Sequence, residues 1–247
     1  MTRYALYFTP SLASPWHDAG ATWLGRDAVS GETREQPYIP GVPSDMLAQL
    51  TRDARRYGFH ATLKAPFRLA EDASPAYLLE MAAAFCATQQ AIVLDAPQVA
   101  LHRDFLALTI ADANGAVARL AMRCVSHFDA LRAPLLPEEI ARRRRDLLTA
   151  RQEALLQRWG YPYTEEQFRF HMTLSGALSA ADPEVASRVQ AAAQQHFAAV
   201  AHAPLCIDGL SIMREEVPGA PFLLWQRCSF ASADAELTHI SSSLQLS

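Results

Sequence analysis

One short phrase is written twice in this chain. Phe59-His60-Ala61-Thr62-Leu63 and Phe170-His171-Met172-Thr173-Leu174 both read Phe-His-x-Thr-Leu. Each lies in an apolar, β-favouring run, so each reads as a strand, near residues 58–67 and 168–177. Side chains alternate faces along a strand, and residues i and i+2 share one face about 6.6 Å apart. His60, Thr62 and Lys64 therefore line one face of the first strand. Arg169, His171, Thr173 and Ser175 line one face of the second. Phe59, Ala61, Leu63, Phe170, Met172 and Leu174 point the other way, into a core. A lone His-x-Thr is most simply a half-buried strand with a satisfied histidine. Two copies, each preceded by Phe and followed by Leu, are much harder to obtain by chance. If the two strands lie side by side, two imidazoles and two hydroxyls converge on one small volume.

That set of groups has a chemical use. In-line cleavage of a phosphodiester needs a base on the attacking oxygen and an acid on the leaving oxygen. Histidine, with an ordinary pKa of about 6.5, can serve as either near neutral pH. Threonine hydroxyls can donate hydrogen bonds to the non-bridging phosphoryl oxygens.

The wider wording is Arg-Tyr-Gly-Phe-His-Ala-Thr-Leu-Lys-Ala-Pro-Phe at 56–67, and Trp-Gly-Tyr-Pro-Tyr at 159–163 followed by Phe-Arg-Phe-His-Met-Thr-Leu at 168–174. With its paired His-x-Thr-Leu strands the chain resembles the 2H phosphoesterase superfamily, and the longer phrases are similar to a branch labelled as phosphonate-metabolism proteins. The resemblance runs from Arg3 to about Phe230. It implies a metal-independent hydrolase that acts on a small, cyclic phosphate ester of ribosyl or nucleotide type. It also implies His60, Thr62, His171 and Thr173 as catalytic residues, with no cofactor.

Composition bounds the partners. The chain has 247 residues, half of them apolar, enough for one large domain or two small lobes with a real core. Its net charge is −4, and the only basic run is Arg142–Arg145. A long nucleic acid is therefore not expected as a partner. Cys86, Cys124, Cys206 and Cys228 are widely spaced, which fits reduced core residues in a cytoplasmic protein. No apolar run approaches 18 residues, and the apolar start is cut short by Pro10, so neither a membrane span nor a signal peptide is expected. The oligomeric state is not written in the sequence.

The order of segments repeats as well. Tyr4–Thr9 reads as a strand, Ser14–Leu24 as a helix opened by Pro15, and Ser44–Arg55 as a helix. Residues 25–43 form a turn-rich loop, of a length that often covers a site but equally suits a surface excursion. After the first motif come a helix from Ser74-Pro75 to about Gln90 and strands at Ile92–Leu101 and Phe105–Ala111. After the second come a helix from Asp182-Pro183 to about Val200 and strands at Leu205–Met213 and Phe222–Phe230. Each half reads motif strand, helix, strand, strand. This predicts an α+β fold of two pseudo-twofold-related lobes of antiparallel sheet with outer helices and a central cleft, one bilobal unit over 1–230. Residues 231–247 read as a polar tail. Between the halves, Val117 to Leu131 carries an apolar stripe, and one long helix is expected from Pro137 to about Trp159, stopped by Gly160.

Further site candidates carry two readings each. Lys64 shares the face of His60 and either neutralises phosphate or sits at the rim. Ser175 extends the second face, and Arg169 begins it. Tyr57 and Tyr161 flank the motifs and either stack on a base or sugar or are simply packed. Arg144 and Arg151 fall within the apolar stripe that Ile140, Leu147, Leu148 and Leu155 define on the long helix. Each either snorkels to a carboxylate or forks onto a second substrate phosphate. His17, His102, His127, His196, His202 and His239 show no metal-ligand spacing, so no metal is expected. There is no Walker-type loop and no Gly-x-Gly-x-x-Gly. Two further functions use the same cleft: a non-catalytic sensor of a phosphorylated metabolite, and an enzyme processing RNA 2′,3′-cyclic ends, which the acidic balance disfavours.

Overall fold

The structure, a computed structural model, describes residues 1–231 apart from 95–96 and 145–146. The polar tail expected beyond Ala231 lies outside the described residues, as does Arg145. The chain is α+β. Strands β1 (Arg3–Phe8), β2 (Ala61–Phe67), β4 (Gln98–His102), β5 (Phe105–Thr109), β6 (His171–Ala177), β8 (Gly209–Glu215) and β9 (Leu223–Ser229) form one sheet in the order β4-β5-β6-β2-β1-β8-β9, antiparallel at every pairing. Strands β3 (Ile92–Leu94) and β7 (Leu205–Ile207) pair with each other in a small second sheet. The described residues hold eight α-helices: α1 (Pro15–Leu24), α2 (Ser44–Leu50), α3 (Arg52–Tyr57), α4 (Pro75–Ala87), α5 (Ala116–His127), α6 (Pro137–Arg143), α7 (Ala150–Trp159) and α8 (Pro183–Ala198).

Local chemistry explains the boundaries. The Ser74 hydroxyl accepts from the Tyr77 amide and Pro75 opens α4. The Asp182 carboxylate accepts from the Glu184 amide and Pro183 opens α8. Both are ordinary N-caps.

Four expected elements break where a local device intervenes. The helix expected over 44–55 splits at Thr51, whose hydroxyl donates back to the Leu47 carbonyl at 2.9 Å and accepts from Arg55. The long helix expected over 137–159 is two helices. The second, α7, is started afresh by a capping box in which the Thr149 hydroxyl accepts from the Gln152 amide and the Gln152 side chain accepts from the Thr149 amide. Leu147, counted in the apolar stripe, is fully exposed between them. The strand expected over 92–101 is divided between β3 and β4, in different sheets, and that over 205–213 is divided at Asp208.

The two motif strands, β2 and β6, meet at the centre of the main sheet. The flanking strands, however, cross over. The β4–β5 hairpin, from the first half, extends the sheet from the second motif strand. The β8–β9 hairpin, from the second half, joins β1 beside the first motif strand. Neither half builds its own side alone.

The core lies behind the motif strands. Phe59, Ala61, Leu63, Phe170, Met172 and Leu174 are all buried in one cluster with Trp23, Phe197 and Leu120. The Trp23 indole donates to the Leu174 carbonyl at 2.9 Å, tying α1 to the second motif strand. All four cysteines are free thiols. No helix among the described residues is long and apolar enough to cross a membrane.

Phe59 packs against α1 where the helix has a glycine. A Cβ on Gly20 would meet Phe59 side-chain carbons at 2.0–2.7 Å. Helix propensity alone favours Gly20→Ala by about 1 kcal/mol. Overpacking opposes it by about 1–3 kcal/mol. Gly20→Ala is therefore expected to lower the urea midpoint of unfolding, and a stabilised variant would show that this contact does not hold Phe59.

Candidate active site

The register between the motif strands sets the site. Ala61 pairs with Met172 in antiparallel sense. One residue further along in each direction, His60 comes opposite Thr173, and Thr62 opposite His171. Each histidine thus faces the other strand's threonine. All four side chains lie on one face, since their buried neighbours Ala61 and Met172 take the other. His60, Thr62, His171 and Thr173 are half-buried.

Both imidazoles are held the same way. His60 Nδ1 donates to the Gly58 carbonyl at 2.8 Å, and His171 Nδ1 donates to the Arg169 carbonyl at 2.9 Å. A neutral imidazole that donates from Nδ1 carries its lone pair on Nε2. The Thr62 hydroxyl lies 3.3 Å from His60 Nε2, on the shared face. The Gly58 carbonyl is turned toward His60 by backbone at φ 81°, a conformation natural to glycine. A Cβ there would sit 2.4 Å from that of Ala28.

The surroundings differ. His60 lies under Tyr7, ring centroids 3.8 Å apart and nearly parallel. Burial pushes its pKa down to about 4; the Gly58 carbonyl opposes this and nearby His171 adds to it. His171 stacks on His102 at 4.9 Å with 14° between the rings. Its pKa is also lowered, first by burial, with His102 and Arg103 contributing. His102, considered on sequence grounds only as a metal ligand and set aside for want of ligand spacing, is thus part of the site. Its position depends on β5 pairing with β6, and that is a tertiary fact.

A cavity of about 370 Å³ opens on the His171 side, with Thr62, Lys64, His102, Tyr161, Arg169 and His171 among its lining residues. Helix α5 forms part of its wall. Residues 25–43 contribute nothing to this lining; that loop is tied to β9 and α3 through Ala28 and Arg26.

The other candidates separate on their partners. Lys64 is buried, donating to the Val125 carbonyl at 3.1 Å and Asp129 at 3.2 Å, so its charge is already matched. Burial lowers its pKa, and Asp129 opposes that. Ser175 is turned to a structural use: its hydroxyl accepts from the Leu106 amide at 2.9 Å and donates to the Gly176 carbonyl, where the β5–β6 ladder shifts register. Arg169 is exposed and donates to the Glu166 and Phe168 carbonyls. Tyr57 stacks on Phe222 at 5.2 Å.

Arg144 and Arg151 do not reach the cleft. Glu153 clamps Arg144, and Glu165 and Glu166 clamp Arg151. The expected apolar stripe rested on a continuous helix, and the break between Arg143 and Ala150 removes it. The Thr-x-x-Gln signature at 149–152 was the available signal. Among the described residues no group of three His, Cys, Asp or Glu could hold a metal ion.

The depressed imidazoles give the protein a pH dependence of known sign. An unfolded histidine titrates near 6.5, whereas His60 in the fold titrates near 4. Between those values the unfolded chain binds a proton that the folded chain does not, so stability is complete above about pH 6.5 and falls as pH drops toward 4. The loss from His60 is at most on the order of 3 kcal/mol. Urea unfolding at pH 4.5 and 7 should show it. His60→Ala should flatten the dependence, and an equally steep dependence in that variant would refute the assignment.

The chain is 60% identical over 232 residues to a protein of Janthinobacterium sp. (strain Marseille) named ribose 1,5-bisphosphate phosphokinase PhnN, covering 94% of this chain and 51% of that one. It is 35% identical over 223 residues to a protein of the same name from Laribacter hongkongensis (strain HLHK9), covering 90% and 50%. The chain thus spans about half the length of the curated relatives it matches. Residues 62–223, which run from the first motif threonine through the whole second motif, match a family described as a protein of unknown function, DUF1045, and the chain belongs to that family.

Proposed function

We propose that this chain is a phosphodiesterase of the 2H type that opens a ribosyl cyclic phosphate by two-histidine acid–base catalysis. The observation that carries the reading is the matched pair of anchors. Each imidazole donates a hydrogen bond from Nδ1 to a carbonyl two residues before it, leaving Nε2 for proton transfer on the shared face. One neutral imidazole takes a proton from water as its oxygen attacks phosphorus. The other, protonated, delivers a proton to the leaving alkoxide as the ring P–O bond breaks. Thr62 and Thr173 donate to the phosphoryl oxygens, where charge grows in the transition state. The catalysis calls on no bound metal.

The relatives' name supports a sugar phosphate. Water opening a 1,2-cyclic phosphate of ribose 5-phosphate at O2 yields ribose 1,5-bisphosphate, the compound that their name says they phosphorylate. Phosphonate breakdown, implied by the sequence resemblance, is the proposed setting. The phosphokinase reaction itself needs a nucleotide-phosphate cradle, and this chain has no Walker-type loop. We assign that reaction to the half of the relatives that this chain does not match.

The test is a panel of ribose cyclic phosphates, 2′,3′-cyclic nucleotides and cyclic-phosphate-ended RNA, assayed with and without EDTA. Activity should be greatest on the ribose cyclic phosphates and should survive the chelator; complete loss in EDTA, restored by a divalent ion, would sink the mechanism. His60→Ala and His171→Ala should each reduce kcat roughly 10²–10⁴-fold, with a double variant costing less than the product of the two. Thr62→Val keeps the β-branched shape and removes the donor, at a cost of about 3 kcal/mol or less in the transition state. Unchanged kinetics in Thr62→Val would return that residue to a packing role.

A further inference from the structure

Arg143 differs from its neighbours. It turns inward at the end of α6, where Nη2 donates to the Pro66 carbonyl at 3.2 Å and Cζ lies 5.1 Å from the centre of the Tyr161 ring. Pro66 and Tyr161 both line the cavity. Its Nε is buried with no hydrogen-bond partner. Among the described residues no carboxylate lies within ion-pair distance of it. The inward cations nearby are matched: Lys64 and Arg132 share Asp129, Arg3 and Arg56 share Glu215, and Arg68 has Glu139. A guanidinium cannot shed its proton in a protein. Half-buried, with its Nε covered and no carboxylate beside it, it is costly unless an anion completes it.

Two phenols accompany it. Tyr7 is 1% exposed and packs on His60. Tyr161 forms part of the cavity wall. Among the described residues neither hydroxyl is hydrogen-bonded to another protein group. Burial raises the pKa of both phenols, and the charge of Arg143 acts on both in the opposite direction. The Arg143 guanidinium, with its Nε unpartnered, and the two phenols thus come from α6, β1 and the segment after α7.

We propose that Arg143, Tyr161 and Tyr7 form an anion subsite beside His60 that takes a second phosphate monoester of the substrate, one that the reaction leaves intact. The choice of a phosphate monoester over a carboxylate rests on the function proposed above and on the donor set. A guanidinium fork and two hydroxyls from separate elements suit the three free oxygens of a monoester better than the two of a carboxylate. The subsite also explains how a chain of net charge −4 would select a doubly phosphorylated sugar: local donors do the work, without a basic surface.

Ribose 5-phosphate is the probe, since it carries the monoester and no cyclic ester. Its Kd is measured by calorimetry on the full chain, with ribose as the blank. Arg143→Lys keeps the charge and loses the fork, and should raise Kd roughly 10- to 100-fold. Tyr161→Phe and Tyr7→Phe keep the ring and should each raise it roughly 3- to 10-fold. Arg151→Lys, on the surface, should leave it unchanged, and His171→Ala should change it less than twofold. A Kd that moves less than twofold in both Arg143→Lys and Tyr161→Phe overturns the proposal, as does a larger loss in His171→Ala than in Arg143→Lys. If Arg143→Lys does not fold, the two phenylalanine variants decide. Binding that depends on Arg143 and Tyr161 in a protein without phosphodiesterase activity would keep the subsite and discard the hydrolase reading. Phosphodiesterase activity with binding indifferent to these residues would do the reverse.

Discussion

The pairing of Ala61 with Met172 is the constraint on which the site depends. Side-chain direction in a strand has a period of two, so a slip by one residue would turn one strand's histidine and threonine into the core and its Phe and Leu into the cleft. Burial prevents that slip. Leu63, Met172 and Leu174 are at most 2% exposed, and Phe59 and Phe170 are nearly as covered. The energy that holds the register is therefore hydrophobic, and it comes from the face opposite the chemistry. Residues far from the cleft, such as Gly20 and Trp23, bear on the site through that face alone.

On the cleft side the same strands carry a polar arrangement that burial would otherwise penalise. Each imidazole gives one nitrogen to a backbone carbonyl, which fixes its ring and its tautomer together. The two differ in what lies over them: a phenol on His60, a third imidazole on His171. Two stacked imidazoles resist being protonated together, and burial disfavours the charged form of both motif histidines. Apart from the motif, most cations near the cleft are matched by carboxylates, which makes the unmatched Arg143 informative. The ion pairs of Arg144 and Arg151 are half-exposed, and such pairs contribute little to stability.

Much was legible in the sequence because it was local. The doubled motif, its β character and the faces of its side chains follow from residue type and alternation. The capped starts of α4 and α8 follow from Ser74-Pro75 and Asp182-Pro183. The repetition between the halves is observed, but each helix is followed by three strands where two were expected, because the first is divided: β3, β4 and β5 after α4, and β7, β8 and β9 after α8. Where local signals competed, periodicity misled. Leu147 and Leu148 suggested one continuous helix, while the Thr149–Gln152 capping box began a new one.

The sequence by itself determined which residues could carry proton transfer, and on which side of their strands they lie, because alternation is a property of the backbone. Only the tertiary structure decided which strands became neighbours. The hairpins cross between halves, so β5 lies beside β6 and brings His102 onto His171, although no local pattern links residues 69 positions apart. Tertiary packing also decided which charges were already matched. Lys64 met Asp129, Arg151 met Glu165 and Glu166, and Arg143 was left against Tyr161. An ion pair between distant segments is a matter of distance in space, and a single sequence does not encode that distance in its spacing.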